Sequence, residues 1–151
     1  MLKKPFERIP AAHTAETEIT VTFDMLDPMK VVYHGNYVRF LEAARCELLG
    51  RIGYSYPDME RSGYAWPVVD MTLRYSQPAL FGDRLIARAG IVSAEEKLVI
   101  AYEIRRKSDN VLLTRAETVQ MAVDLKTLAT QWEVPLILRE KLQAALSNQQ
   151  N

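Results

Sequence analysis

Hydrophobic and polar positions repeat with two different periods along this chain. Between Glu16 and Phe23, Ile19, Val21 and Phe23 alternate with threonines, the repeat of a half-buried strand. Beyond Pro28 and the tripeptide His34-Gly35-Asn36, the apolar residues Tyr37, Leu41, Ala44, Leu48 and Ile52 recur at helical spacing. They predict one helix of about four turns. Gly50 and Gly53 supply its stop, because glycine accepts the left-handed conformation that commonly closes a helix. After Gly63 the period returns to two. Val69, Met71, Leu73 and Tyr75 make a second strand closed by Pro78. Leu85, Ala87, Ala89 and Ile91 make a third, joined through Ala94-Glu95-Glu96-Lys97 to a fourth that carries Leu98, Ile100, Tyr102 and Ile104. Ser108-Asp109-Asn110 signals a turn before a segment, 111–125, long enough to be a fifth strand, with Val119, Met121 and Val123 on one face. Pro135 opens a short amphipathic C-terminal helix marked by Leu138, Leu142 and Leu146.

This order of elements is α+β: one long helix covering a face of a five-strand antiparallel sheet. There is no alternating βαβ rhythm, no glycine-rich phosphate loop and no internal repeat, so nucleotide chemistry loses its usual support. Residues 1–15 follow neither period and read as a tail or an arm on the surface. Residues 16–146 are the folded domain, and 147–151 a polar tail.

Composition narrows the classes. At 151 residues and 48% hydrophobic, the chain can build one core without metals or disulfides. Lysine plus arginine and aspartate plus glutamate both number 19, so no basic excess points to nucleic acid. The single cysteine, Cys46, excludes an intramolecular disulfide and points to a reducing cytoplasm; with two histidines it makes a poor zinc set, and no metal is expected. No apolar run is long enough for a signal peptide or a membrane span.

The chemistry concentrates in Asp27-Pro28-Met29-Lys30-Val31-Val32-Tyr33-His34-Gly35-Asn36-Tyr37, which sets a loop carboxylate beside a helix start. Thioester cleavage passes through an oxyanion, which the free N–H groups and positive dipole end of a helix N-terminus stabilise. A carboxylate attacks the carbonyl or deprotonates a water. The same Asp-Pro pair also reads as plain turn chemistry.

Asp27-Pro28, Val31 to His34, Asn36-Tyr37, Phe40-Leu41-Glu42-Ala43 and Arg45 together resemble the signature of the 4-hydroxybenzoyl-CoA thioesterase family, which includes the Tol-Pal-associated acyl-CoA thioesterases. Tyr75-Ser76-Gln77-Pro78-Ala79, Gly82-Asp83, Ala122-Val123-Asp124 and Val134-Pro135 extend the resemblance to roughly Glu16–Leu146. It implies the hotdog fold, a long helix wrapped by an antiparallel sheet, and a homodimer or dimer of dimers with sites at the subunit interface. By position, Asp27 is the nucleophile or general base and His34 the residue whose backbone N–H polarises the thioester carbonyl. Tyr33, Gly35 and Lys97 are the candidate substrate-binding residues. The implied substrate is an acyl-CoA or acyl-carrier-protein thioester, with no cofactor beyond the carrier. The chain departs from the pattern at Met25, where the family has aspartate, and at Lys30, where it has glycine. Lys30 either favours the ionised Asp27 or points to solvent.

Other candidates have simpler readings. Glu42 and Arg45 stand at ion-pair spacing on the helix. Cys46 is a packed residue, Tyr64 and Trp66 are core or pocket aromatics, and His13 has no assigned role. The His34 imidazole caps the helix or protonates the leaving thiolate. Two rival functions remain: a non-catalytic acyl-CoA-binding or assembly module, and a hotdog dehydratase, whose histidine with an acidic partner on the helix is not evident here.

Overall fold

The computed structural model describes Phe6, residues 8–10 and residues 12–149. The elements run β1 (Thr14–Thr20), a 3-10 turn (Phe23–Met25), α1 (Asn36–Arg51), α2 (Tyr56–Arg61), β2 (Tyr64–Ala65), β3 (Val68–Tyr75), β4 (Arg84–Ala94), β5 (Leu98–Arg106), β6 (Leu112–Gln120), β7 (Val123–Asp124) and α3 (Leu136–Gln149). Five strands form one antiparallel sheet in the order β1-β4-β5-β6-β3, while β2 and β7 pair separately. The expected architecture is therefore present. Helix α1 packs on β1 and β4. No helix among the described residues is long and apolar enough to cross a membrane.

Burial explains the wrap. The alternating rows Leu85, Ala87, Ala89, Ile91 and Leu98, Ile100, Tyr102, Ile104 are buried against Tyr37, Leu41, Ala44 and Leu48 of α1. Each fully buried aliphatic side chain of this kind contributes about 1.5–3 kcal/mol. The hairpin β4–β5 turns at Glu95–Lys97, as its charged connection requires. In α3, Leu138 is buried, with Leu142 packing on the core.

Several boundaries differ from the periodic reading. Strand β1 starts earlier and stops at Thr20, opposite Arg84; Phe23 falls in the 3-10 turn and is 78% exposed rather than facing the core. Gly50 lies inside α1, and Gly53, at φ +72°, makes the left-handed turn. Helix α2, with a capping box from Ser55 and Asp58, and the β2–β7 pair carry too few residues to show a period. The fifth strand ends at Gln120, and Val119 faces away from α1. Its inner row is Thr114, Ala116, Thr118 and Gln120, because the register with β5 sets these opposite the buried Ile104, Tyr102, Ile100 and Leu98. Helix α3 continues past Leu146 to Gln149, so the polar stretch from Ser147 begins as helix; residues 150–151 lie outside the described residues.

Residues 1–15 are not all an arm: Thr14 and Ala15 belong to β1, with Ala15 buried, and the described residues before them lie outside any element. A Cβ on Gly90 would lie 2.5 Å from Ile9 Cγ2, so Ile9 crosses the outer face of β4. Its neighbour in the ladder, Ala101, is buried although it faces away from α1. The remainder of that arm, residues 1–5, 7 and 11, lies outside the described residues.

Candidate active site

Asp27 begins a tight turn. Its N–H donates to Val31 O at 2.9 Å, its carbonyl accepts from Lys30 N at 2.9 Å, and its Oδ1 accepts from Met29 N at 2.8 Å. One carboxylate oxygen therefore holds the turn, and Oδ2 has no protein partner among the described residues. Isolated bridges Leu26–Val32 and Val31–Leu80 fix the two ends of this loop. Lys30 has φ +63°, a left-handed conformation that costs a side chain with a Cβ about 1–2 kcal/mol. Glycine, which the resembling family has at this position, adopts that conformation without the cost. The Lys30 side chain is exposed and forms no ion pair with Asp27.

The other departure is explained by the backbone. Met25 O accepts both Tyr33 N and Asn36 Nδ2 at 2.9 Å, which clamps the start of α1 to the turn. Position 25 thus acts through its carbonyl, and its side chain packs on the core.

At the helix start Asn36 N donates to Tyr33 O at 2.9 Å, whereas the N–H groups of His34 and Gly35 have no acceptor among the described residues. These two amides, at the positive end of a 16-residue helix, form a ready oxyanion site. The Tyr33 ring lies over Gly35, where a Cβ would stand 2.6 Å from its Cε1. The absence of a side chain at 35 is therefore steric and keeps this approach open. The His34 imidazole is exposed, packs on the Tyr33 ring at 4.4 Å and caps nothing; the His34 carbonyl accepts from Tyr75 Oη at 2.9 Å.

Asp27, His34, Tyr37, Tyr75, Gln77 and Pro78 line one cleft of about 300 Å³. Phe23, Leu26, Lys30 and Phe81 line another of about 440 Å³, and Asp27 belongs to both. Two hollows meeting at a carboxylate suit a thioester, which has two arms at its carbonyl. Burial pushes the Tyr37 and Tyr75 phenols above their ordinary pKa, so both stay neutral. The cleft wall is held from behind by Arg106. Its Nη2 donates to Pro78 O at 3.2 Å, and its other nitrogens meet Asp83 at 3.1 Å and Asp109 at 2.9 Å. Asp83 in turn accepts from Leu80 N at 2.9 Å. Sequence reasoning missed Tyr75, Arg106 and this brace; the Gly82-Asp83 pair, already noted, was the available signal. A hollow of about 490 Å³ on the outer sheet face, lined by Arg88, Arg105 and Lys107, is a weaker candidate because their charges already meet Glu16, Glu103 and Glu18.

The structure brings Asp27 and His34 to one cleft, with Gly35 next in the chain and the Tyr33 ring against it. It does not bring Lys97 to them within one chain. Lys97 sits in the β4–β5 turn, whereas Arg106 beside the cleft ends β5, roughly 30 Å along the strand. The ion pair expected from Glu42 and Arg45 does not form: Glu42 is exposed, while Arg45 is buried and donates from Nε to Tyr56 Oη at 2.9 Å. Cys46 is exposed rather than packed, and partial burial followed by the nearby Glu42 charge pushes its thiol up, away from the reactive thiolate. Trp66 is core, donating to Tyr54 Oη at 3.2 Å, and Tyr64 pairs with Asp124; neither lines the clefts at Asp27. His13 turns the chain into β1 at φ +49°, and burial lowers its pKa. No three His, Cys, Asp or Glu side chains among the described residues converge as metal ligands would.

Comparison with known proteins places the chain. The acyl-CoA thioester hydrolase YbgC of Escherichia coli O157:H7 is 31% identical over 106 residues, covering 70% of this chain and 79% of its own. The DHNA-CoA thioesterase of Staphylococcus aureus superposes with a TM-score of 0.74 at 26% identity, covering 91% of this chain and 95% of that one. A 4-hydroxybenzoyl-CoA thioesterase variant bound to 4-hydroxybenzoyl-CoA shares the fold with a TM-score of 0.76 at 19% identity, over 87% of this chain and 99% of that one. The model of the thioesterase-like superfamily matches residues 21–146, and the chain belongs to that superfamily, the thioesterases of the hotdog fold.

Proposed function

We propose that this protein hydrolyses acyl-CoA thioesters, with Asp27 as nucleophile or general base and the His34 and Gly35 amides as the oxyanion site. The observation that carries this reading is one cleft lined by Asp27, whose Oδ2 is uncommitted, and by His34, whose N–H is unpaired like that of the adjoining Gly35. The thioester oxygen lies against the amides, which meet the negative charge that develops on it. Asp27 either attacks the carbonyl carbon, forming an anhydride that water opens, or takes a proton from a water that attacks directly. In both routes the C–S bond breaks, and the thiolate leaves and is protonated. The exposed His34 imidazole stands ready for that protonation.

A homodimer completes the arrangement. Strand β3 ends the sheet, its outer edge is unpaired among the described residues, and Val69 and Tyr75 on its inner row are 52% and 48% exposed. A second copy covers this row and supplies the missing wall of the cleft. A dimer also gives Lys97 a route to the site of its partner. The free Cys46 thiol suits a reducing cytoplasm.

The test is a hydrolysis screen over short, long and aromatic acyl-CoA esters, read as thiol release, with light scattering on the same sample. Turnover by a dimer is expected. Binding without turnover on every ester turns the reading to a non-catalytic acyl-CoA module.

A further inference from the structure

One buried polar centre takes no part in the site above. Arg45 is 7% exposed, its Nη1 is buried without an acceptor, and no ion pair among the described residues includes it. An uncompensated buried cation is costly and is seldom left so. Around it stand Tyr56, whose Oη accepts from Arg45 Nε, and Tyr102, which shares a 2.8 Å hydrogen bond with Thr118. Tyr102 and Thr118 are 2% and 0% exposed.

The hydrogen count of this cluster is one-sided. The Tyr102–Thr118 bond uses one hydroxyl hydrogen and leaves the other. Tyr56, 38% exposed, accepts from Arg45 and turns its own hydrogen to solvent or to a ligand. Burial pushes the Tyr102 phenol up, so it stays protonated. What remains is a set of donors around a cation, and only an acceptor-rich, preferably anionic group completes it.

The centre and the cleft share two elements, β3 and α1. On β3 the inner row runs from Tyr75 in the cleft wall through Leu73 to Met71, which pairs with Thr118. Along α1, Arg45 follows His34 by eleven residues, and its side chain leans back toward the helix start, which sets the guanidinium roughly 10–16 Å from the oxyanion amides. A medium-length extended acyl chain spans that distance.

We propose that the Arg45–Tyr102–Thr118 centre receives the far end of the acyl group, so that preferred substrates are medium-chain thioesters ending in an oxygen acceptor, above all a carboxylate. This rests on the thioesterase reading. The alternative source of the same chemistry is a carboxylate of a second copy of the chain.

The experiment compares octanoyl- and decanoyl-CoA with their ω-carboxy analogues, suberyl- and sebacyl-CoA. Hydrolysis is measured on the parent, and binding by calorimetry on Asp27→Asn. The ω-carboxy ester is expected to show at least tenfold higher kcat/KM or lower Kd at one of the two lengths. Arg45→Met and the milder Thr118→Val each collapse that ratio; if the methionine variant does not fold, the valine variant reads the same quantity. Equal values for both esters in the parent, or a ratio that persists in the folded variants, overturn the proposal. If Arg45→Met dissociates into monomers while the parent shows no ester preference, the acceptor belongs to the partner chain and the proposal is wrong. Tighter binding of the ω-carboxy ester with no hydrolysis of any ester sinks the thioesterase reading and leaves this inference standing.

Discussion

Replacing Asp27 by Asn separates chemistry from architecture at this site. The asparagine Oδ1 still accepts the Met29 N–H, the 2.8 Å bond that holds the turn, so the loop keeps its shape. What disappears is the charge and basicity of Oδ2. Loss of a positioned proton-transfer group costs about 10²–10⁴-fold, or roughly 3–5 kcal/mol on the barrier. Asp27→Ala is the companion variant, because it also removes the turn bond, worth about 1 kcal/mol of stability, or about 2–4 °C in Tm for a chain of this size. Thiol release under saturating ester gives kcat, and a melting curve gives Tm. The expected pattern is a collapse of kcat in both variants with Tm lowered only in the alanine. KM changes much less than kcat. An asparagine variant with near-parental kcat and unchanged Tm refutes the role of Asp27 and the mechanism built on it.

Three further outcomes follow from the geometry. Lys30→Gly removes the left-handed strain at φ +63°, so activity is retained and Tm is unchanged or slightly higher; a tenfold loss of turnover gives Lys30 an active role. Gly35→Ala places a Cβ 2.6 Å from the Tyr33 ring, which must swing away; kcat/KM falls about 10–100-fold. Adding Tyr33→Ala to that variant recovers part of the loss if the clash is its cause, and no recovery in the kinetics rejects the steric account. Asp58, Asp109 and Asp124 sit below the ordinary carboxylate pKa, chiefly through hydrogen bonds from the Ser55 hydroxyl, the Val111 amide and the Thr127 amide respectively. The unfolded chain therefore binds more protons than the folded one, and their contribution is full above a pH of about 4 and lost as pH falls through their lower folded values. A melting series in pH checks the sign, and stability that rises on acidification below that point contradicts it.

The periodic segments were legible because their pattern has one cause. In β4, β5 and α1 every second or every third to fourth residue is buried against the same core, and the strands and the helix lie where those patterns are. Short elements carried no such signal: α2 rests on a capping box, and β2–β7 on a pairing between residues sixty positions apart. Strand β6 misled for a related reason. Its valines suggested the buried face, but pairing with β5 turned Thr114, Thr118 and Gln120 inward, and Gln120 meets that burial by donating to Trp66 O at 2.7 Å.

The site divides in the same way. Asp27 and His34 are seven residues apart, and local turn chemistry and a helix start suffice to bring a carboxylate and free amides near one another, so the sequence alone determined the fold and the motif proposed for the chemistry. Only the tertiary structure decided the surroundings. Tyr75, forty-one residues from His34, reaches its carbonyl, Arg106 braces the wall at Pro78, and Lys97 is carried to the far end of the sheet. Arg45, at ion-pair spacing from Glu42, turns inward instead, because helix packing chooses which side of α1 is buried. Local spacing records what neighbours in the chain can do; register and packing between distant segments record what the folded site contains.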